Sequence, residues 1–482
     1  MITAAALQHA ITAADWEALR PIIWIAGGAL AVLLFDLCLP RGAHRISSVL
    51  LGVTSLVWAG GFLVRNYHTP YAAFGGAFLS DGFSVVFQGA IVLATLLSLL
   101  FVYTFEERIS SAGAVALLLW AASGAMLMTG AGNLLILFLG LELLSLALYA
   151  LCGMASRRAA REAALKYLLL SSMASAVMLY GMVLLFGVTG SVNFSAFLAP
   201  PPGNPLYLVA LGLFYVGVAF KLGLVPFHIW MPDVFEGAPL PVTAFMSVAT
   251  KAGMLAVLAR IIYVATPAGL ANKVLLPIWV VAALSMIIGN LAALSQSNLK
   301  RLLAYSGIGQ IGYIVAAFAG ATALGLRYAL FYLLAYLFMT LGAFAVIAAL
   351  SDQADEGARL VSYAGLAHRR PMLAAAMSFF LIGLAGLPPT VGFMGKLLLL
   401  SSVLNAGYIS LAVLLIVGTA ISIYAYAKII RVMYAPMRHE VVAGAMSATW
   451  PLPWIAIAIC SVAVLGLGLY PLVPSAVLPL VK

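Results

Sequence analysis

Charge is what this chain has least of. Its 482 residues are 8% Asp, Glu, Lys and Arg and 65% hydrophobic. Soluble domains carry about 25% charged residues, so a mostly water-facing surface is excluded. Strand alternation is missing too, which removes an outer-membrane barrel and leaves helices as the spanning form. Cysteine is scarce: Cys38, Cys152 and Cys460 lie far apart in apolar stretches without metal-ligand spacing, and read as buried, inert thiols. There is no Cys/His cluster, phosphate loop or dinucleotide fingerprint, so no redox centre is expected on this chain. No basic residue precedes Arg20, which argues against a cleaved signal peptide.

What the chain does have is apolar runs of about 20 residues, each long enough to cross about 30 Å of hydrocarbon. About fourteen spans are expected, at 21–39, 45–65, 80–104, 112–130, 132–154, 163–188, 205–225, 241–265, 274–294, 300–320, 325–350, 373–399, 408–434 and 453–472. The fold class is therefore an all-α polytopic membrane protein. The net charge of +10 is scattered between spans, a pattern that orients a membrane protein and does not point to nucleic acid. Loops on one side hold Arg41, Arg45, Arg108, Arg157, Arg158, Arg161, Lys300, Arg301, Arg359, Arg369, Arg370, Lys428, Arg431 and Arg438. The other side holds Arg20, Arg65, Arg260, Lys273, Arg327 and Lys482. Fourteen against six makes the first side cytoplasmic and puts both termini outside.

Four lysines remain, all within spans: Lys166, Lys221, Lys251 and Lys396. A lysine at mid-depth costs about 2.5–3.5 kcal/mol on insertion scales, so each needs a reason. Lys251 is too deep in its span to reach the headgroups, and desolvation disfavours the charged form of an amine, as a group that must take up and release protons requires. Lys396 is followed by four leucines that block snorkelling. Lys221 precedes a proline break that keeps it from the surface. Lys166 is one turn from the Arg157–Arg161 basic loop and either snorkels or joins a relay. Glu142, the acid near the middle of a span, either packs as a neutral carboxyl or pairs with an intramembrane lysine. Asp36 reads as a helix-end residue. His228, beside Pro226, either relays protons or satisfies freed carbonyls.

Two spans are broken, at Gly223-Leu-Val-Pro226 and at Gly386-Leu-Pro388-Pro389. Proline lacks an N–H and clashes with the preceding turn, and lipid tolerates the freed backbone only where protein or a wet cavity surrounds it. Matching interruptions 163 residues apart point to an inverted-repeat transporter fold. Ionisable groups spread over several spans suggest a horizontal proton relay in place of one compact substrate pocket.

Five stretches carry a further signal: LFLGLELLSLALYAL around Glu142, REAALKYLLL with Lys166, FKLGLVPFHIWMPDVFEGAPLPVTAFMSVATKAG, NLKRLLAYSGIGQIGY and GLPPTVGFMGKLLLL. Together they resemble the antiporter-like membrane subunits of complex I, the proton-pumping NADH:quinone oxidoreductase. Within these the bacterial subunit N type resembles the chain best. Lys251 stands where the L and M types tend to carry a histidine-containing run, and Lys396 where the M type typically has glutamate. The chain also ends soon after the last expected span, without the long lateral helix of the L type.

The resemblance implies two inverted five-helix repeats at spans 4–8 and 9–13, each with a broken helix. It divides the chain into 1–105 (peripheral spans), 106–265 (first repeat), 266–440 (second repeat) and 441–482 (final span). It assigns Glu142, Lys221, Lys251 and Lys396 to a proton relay, with His228 and Lys166 as possible members. It implies NADH, FMN, iron–sulfur clusters and quinone on other subunits and no cofactor on this chain. The implied partners are an M-type neighbour, small K-, J- and A-type subunits and the lipid of a bacterial inner membrane. A Mrp-type cation/proton antiporter subunit and a non-pumping structural spacer are the alternatives.

Overall fold

In hydrocarbon a helix satisfies its own backbone, and the apolar runs fold accordingly. The computed structural model describes residues 11–38, 44–104, 110–198, 204–264, 271–351, 358–436 and 452–472. Arg41, Arg108, Arg438, Lys482, both ends of the chain and the expected boundaries at 105/106, 265/266 and 440/441 lie outside the described residues.

The first half holds α1 (Ala13–Cys38), α2 (His44–His68), α3 (Gly82–Leu99), α4 (Ser111–Thr129), α5 (Leu134–Gly153), α6 (Arg158–Thr189), α7 (Pro205–Leu222), α8 (Trp230–Gly237) and α9 (Leu240–Val264). The second holds α10 (Ala271–Leu294), α11 (Leu299–Phe318), α12 (Ala323–Leu350), α13 (Leu366–Arg369), α14 (Pro371–Ala385), α15 (Val391–Asn405), α16 (Ile409–Tyr434) and α17 (Leu452–Leu469). Twelve of these helices are long and apolar enough to cross a membrane. The 20-residue α11 and the pair α14/α15 fall on the two remaining expected spans. Asn133, Asn204, Asn298 and Thr322 cap α5, α7, α11 and α12 with side-chain oxygens, which meets the orphan amides at those ends.

Lipid gives helices no hydrophobic reason to associate, so close packing has to supply it. At the α4–α5 crossing Gly124 faces Gly140, and a Cβ on either would lie within 2.8 Å of the other's carbonyl oxygen. The most apolar window of α9 is wholly buried and that of α12 is 89% buried, so Lys251 rides on the central helix of the bundle.

Three local features differ from the expectation. Helix α1 starts at Ala13 and not at 21, because Thr12 N and Oγ1 both donate to Asp15 Oδ2 at 2.7 Å. The segment before α3 is an antiparallel hairpin, β1 (Tyr71–Ala73) with β2 (Phe78–Ser80), and Phe74 N donates to Asp15 Oδ1 at 2.6 Å. Cys38 is exposed at the end of α1, whereas Cys152 and Cys460 are buried. Helix α1 packs along one stripe only, and Cys38 lies off that stripe.

Candidate functional site: a row of buried lysines

The two breaks are built alike. Gly223 and Gly386 follow α7 and α14 with φ of 72° and 83°, the left-handed conformation that glycine adopts without strain. Leu224 N bonds to Ala219 O at 2.9 Å and Leu387 N to Ile382 O at 3.2 Å. Gly223 N reaches Phe220 O and Gly386 N reaches Gly383 O, so both ends close with the same pair of bonds. Pro226 and Pro389 each stand three residues beyond the turn glycine, which makes Pro389 the counterpart of Pro226.

The lysines attached to these breaks are handled differently. Lys396, on α15 and 5% exposed, turns back to donate to Leu384 O at 3.1 Å and Ala385 O at 3.0 Å. These are the last carbonyls of α14, where a cation meets the negative end of the helix dipole. Its Nζ also lies 4.9 Å from the Tyr313 ring centre. At the first break the Trp230 indole donates to Phe220 O at 2.9 Å. Lys221, 6% exposed, donates to Ser145 Oγ at 2.8 Å and Ser171 Oγ at 2.7 Å, and lies 5.3 Å from the Tyr167 ring.

Lys251 is 1% exposed, and among the described residues its ammonium has a single hydrogen bond, to Tyr336 Oη at 3.3 Å, with ring contacts to Tyr336 and Phe235. Gly307 makes room for it. A Cβ there would sit 2.7 Å from Lys251 Nζ and 2.8 Å from Tyr336 Oη. Both atoms end flexible or rotatable side chains, so Gly307→Ala should leave assembly intact while moving the ammonium. An unchanged thermal unfolding midpoint is the expected result.

Among the described residues Glu142 forms no ion pair within 4 Å of Lys221, and its Oε1 is buried without a hydrogen-bond partner. Ser145, one turn further along α5, is what Lys221 reaches. Lys166 is 42% exposed and pairs with Glu162 at 2.8 Å and Asp233 at 2.9 Å, so it belongs to an ionic cluster and not to the buried row. His228 is half-buried and edge-on to Tyr305 at 6.4 Å, and it bonds to none of the three buried lysines. Asp36 is a helix-end residue as expected, its Oδ1 2.5 Å from His44 Nδ1.

Several functional contacts were not foreseen. Gln310 accepts from Tyr332 Oη at 2.5 Å and donates to Leu384 O at 3.0 Å, the carbonyl that Lys396 also uses. It stands inside NLKRLLAYSGIGQIGY, where a buried amide in an apolar run was the available signal. Arg301 donates from Nη1 to Asp233 at 2.6 Å and to Glu236 at 3.0 Å, and with Lys166 this holds α8 between α6 and α11. Lys300 and Arg260, expected in loops, are 1% and 2% exposed. Lys300 caps the Ala238 carbonyl at 2.7 Å, and Arg260 pairs with Asp81.

Residues 131–422 match a family model described as NADH:quinone oxidoreductase/Mrp antiporter, transmembrane. The chain is 40% identical over 437 residues to NADH-quinone oxidoreductase subunit N 1 of Symbiobacterium thermophilum, covering 87% of this chain and 89% of that one. It is 39% identical over 424 residues to subunit N of Trichlorobacter lovleyi, covering 86% and 87%. A chain of respiratory complex I from Thermus thermophilus superposes with a TM-score of 0.79 at 35% identity, over 94% of this chain and 97% of that one. A chain of the Mrp complex from Dietzia sp. shares the fold, with a TM-score of 0.82 at 23% identity over 95% of each. The model match spans more than half of the chain, and subunits named N cover most of it at about two-fifths identity. The chain therefore belongs to the antiporter-like membrane subunits of NADH:quinone oxidoreductase, of the bacterial subunit N type.

Proposed function

We propose that this chain moves protons from the cytoplasm to the outside of a bacterial inner membrane as a subunit of the oxidoreductase. The redox steps belong to other subunits, which hold NADH, FMN, iron–sulfur clusters and quinone. Protons enter through α4–α9, are held around Lys221 and Lys251, and leave by way of Lys396 on the far side of α10–α16. These two halves are read as the inverted repeats, and the twin breaks support that reading. The charge bias of the loops supports an orientation with both termini outside. An M-type neighbour and small K-, J- and A-type subunits are the proposed contacts.

One observation carries the reading. Lys221, Lys251 and Lys396 are each under 7% exposed, and among the described residues none has a carboxylate within ion-pair distance. A structural spacer would replace such costly groups with apolar ones. Glu142 serves as the switch, since a charge brought to about 4–6 Å changes a neighbour's proton affinity by about 1.4–4 kcal/mol. One charge crossing 100 mV takes about 2.3 kcal/mol, so a single pair supplies an adequate stroke. The names of the relatives favour the oxidoreductase over a Mrp-type antiporter, since the Mrp likeness shows the fold alone.

The test is Lys251→Ala in the assembled complex, read as proton uptake and NADH oxidation in vesicles. Loss of pumping with normal subunit content is expected. Full coupled pumping would sink the relay.

A further inference from the structure

We infer that Met231 is the closed barrier between Lys221 and Lys251, so that a proton passes between them only when its side chain swings away. The inference rests on the proton-relay reading and names the point at which that relay is shut.

Helix α8 packs against α6 on one side and α11 on the other, and its side chains separate the surroundings of the two lysines. Toward Lys221, Trp230 stacks on Tyr167 at 4.8 Å and 14° and on Phe220 at 5.4 Å, and the Tyr167 ring lies 5.3 Å from Lys221 Nζ. Toward Lys251, the Phe235 ring centre is 6.0 Å from Nζ. Met231 bridges the gap between these groups and is 1% exposed. Its Sδ lies 2.8 Å from where a Cβ on Gly223 would stand, in the turn just after Lys221. Its Cε lies 3.8 Å from the Cβ position of Gly307, a point 2.7 Å from Lys251 Nζ. One thioether thus runs from the first break to the pocket of Lys251.

Nothing α8 places there can pass a proton. The polar atom of Trp230 is committed to Phe220 O, while Met231 and Phe235 have no exchangeable proton. Apolar constrictions of this kind conduct only when wetted. Methionine suits the part, because its unbranched chain with three rotatable bonds moves without backbone change. The backbone beneath it is held still: Asp233 bonds to Lys166 and Arg301, and Glu236 to Arg301 and Asn298.

The experiment measures passive proton conductance of vesicles containing the whole purified complex, under an imposed pH gradient and without NADH. Met231→Ala should raise conductance several-fold and lower the protons pumped per NADH, while Met231→Leu stays as tight as the parent. Met231→Gln keeps the length of the side chain and admits water, so it should also leak, and it carries the test if the alanine variant assembles poorly. Adding Lys251→Ala to either leaking variant should close the path again. Two tight variants, Ala and Gln, would overturn the barrier. A leak that persists without Lys251 would mean a water path that bypasses the row, which overturns the assignment as well. Failure of the relay reading itself is separate: it appears as coupled pumping in Lys251→Ala alone.

Discussion

Asp81→Ala is expected to remove about 3 kcal/mol of stability, the lower part of the range for stranding a buried charge. Asp81 caps α3, accepting from Ser84 N at 2.8 Å while its own N–H donates to Ser84 Oγ. Its carboxylate also receives Arg260 Nη1 at 3.1 Å and Nη2 at 3.0 Å, a two-pronged pair across 179 residues. The Arg260 side chain is 3% exposed and that of Asp81 29%. Losing the carboxylate leaves a guanidinium in the last turns of α9 with one long bond to Thr129 O at 3.4 Å and the Phe83 ring at 4.9 Å. Helix α9 also carries Lys251 of the proposed relay. The measurement is the midpoint of thermal dissociation of the purified complex. Asp81→Asn combined with Arg260→Met should recover most of the loss, since a buried pair replaced as a pair costs little.

The same pair sets a pH dependence. Burial pushes the Asp81 carboxyl up, but Arg260 and the Ser84 bonds outweigh it and hold it below the ordinary value. A carboxyl lowered on folding contributes stability that is fully present above its unfolded value, near 3.9, and is lost as pH falls through the lower folded value. Between about pH 5 and 8 this contribution is flat. The difference between parent and Asp81→Asn should therefore be constant there and shrink only in stronger acid.

Gly386→Ala is expected to abolish most proton pumping. Its φ of 83° costs a residue with a Cβ about 1–2 kcal/mol. The new Cβ would also stand 2.7 Å from Lys396 Cδ, pushing the ammonium off the Leu384 and Ala385 carbonyls. Gly407→Ala separates the two effects, because Gly407 has the same φ of 83° and nothing within 4 Å of its Cβ position. Strain alone should lower the dissociation temperature of both variants alike. Proton uptake per NADH should fall only at position 386. Equal pumping in the two variants would show that Lys396 need not stay on those carbonyls.

Much of this was legible in the residues. Span positions follow from runs of apolar side chains, which are local, and most observed helix ends lie within a few residues of the expected ones. The breaks were legible because glycine and proline act on their own backbone, and Lys221, Lys251 and Lys396 because a charge in an apolar run stands out in one dimension. The subunit family was legible in the same stretches.

Partnerships were not. Lys221 meets Ser145 and Ser171 and not Glu142, because the rotation of α5 about its axis decides which residue one turn apart faces the lysine. In a membrane helix that rotation leaves no trace in the apolar pattern, since lipid-facing and protein-facing sides are equally apolar. Arg260 and Lys300 looked like loop charges because their burial depends on Asp81 and Ala238, far along the chain. Asp233 gains its partners only because α6 and α11 bring Lys166 and Arg301 to it. By itself the sequence determined that this is a multi-helix membrane subunit with two broken spans and four lysines within spans. The tertiary structure alone decided what each lysine touches and that the Met231 side chain reaches from Gly223 toward Gly307, because contacts between helices are set by packing and not by order along the chain.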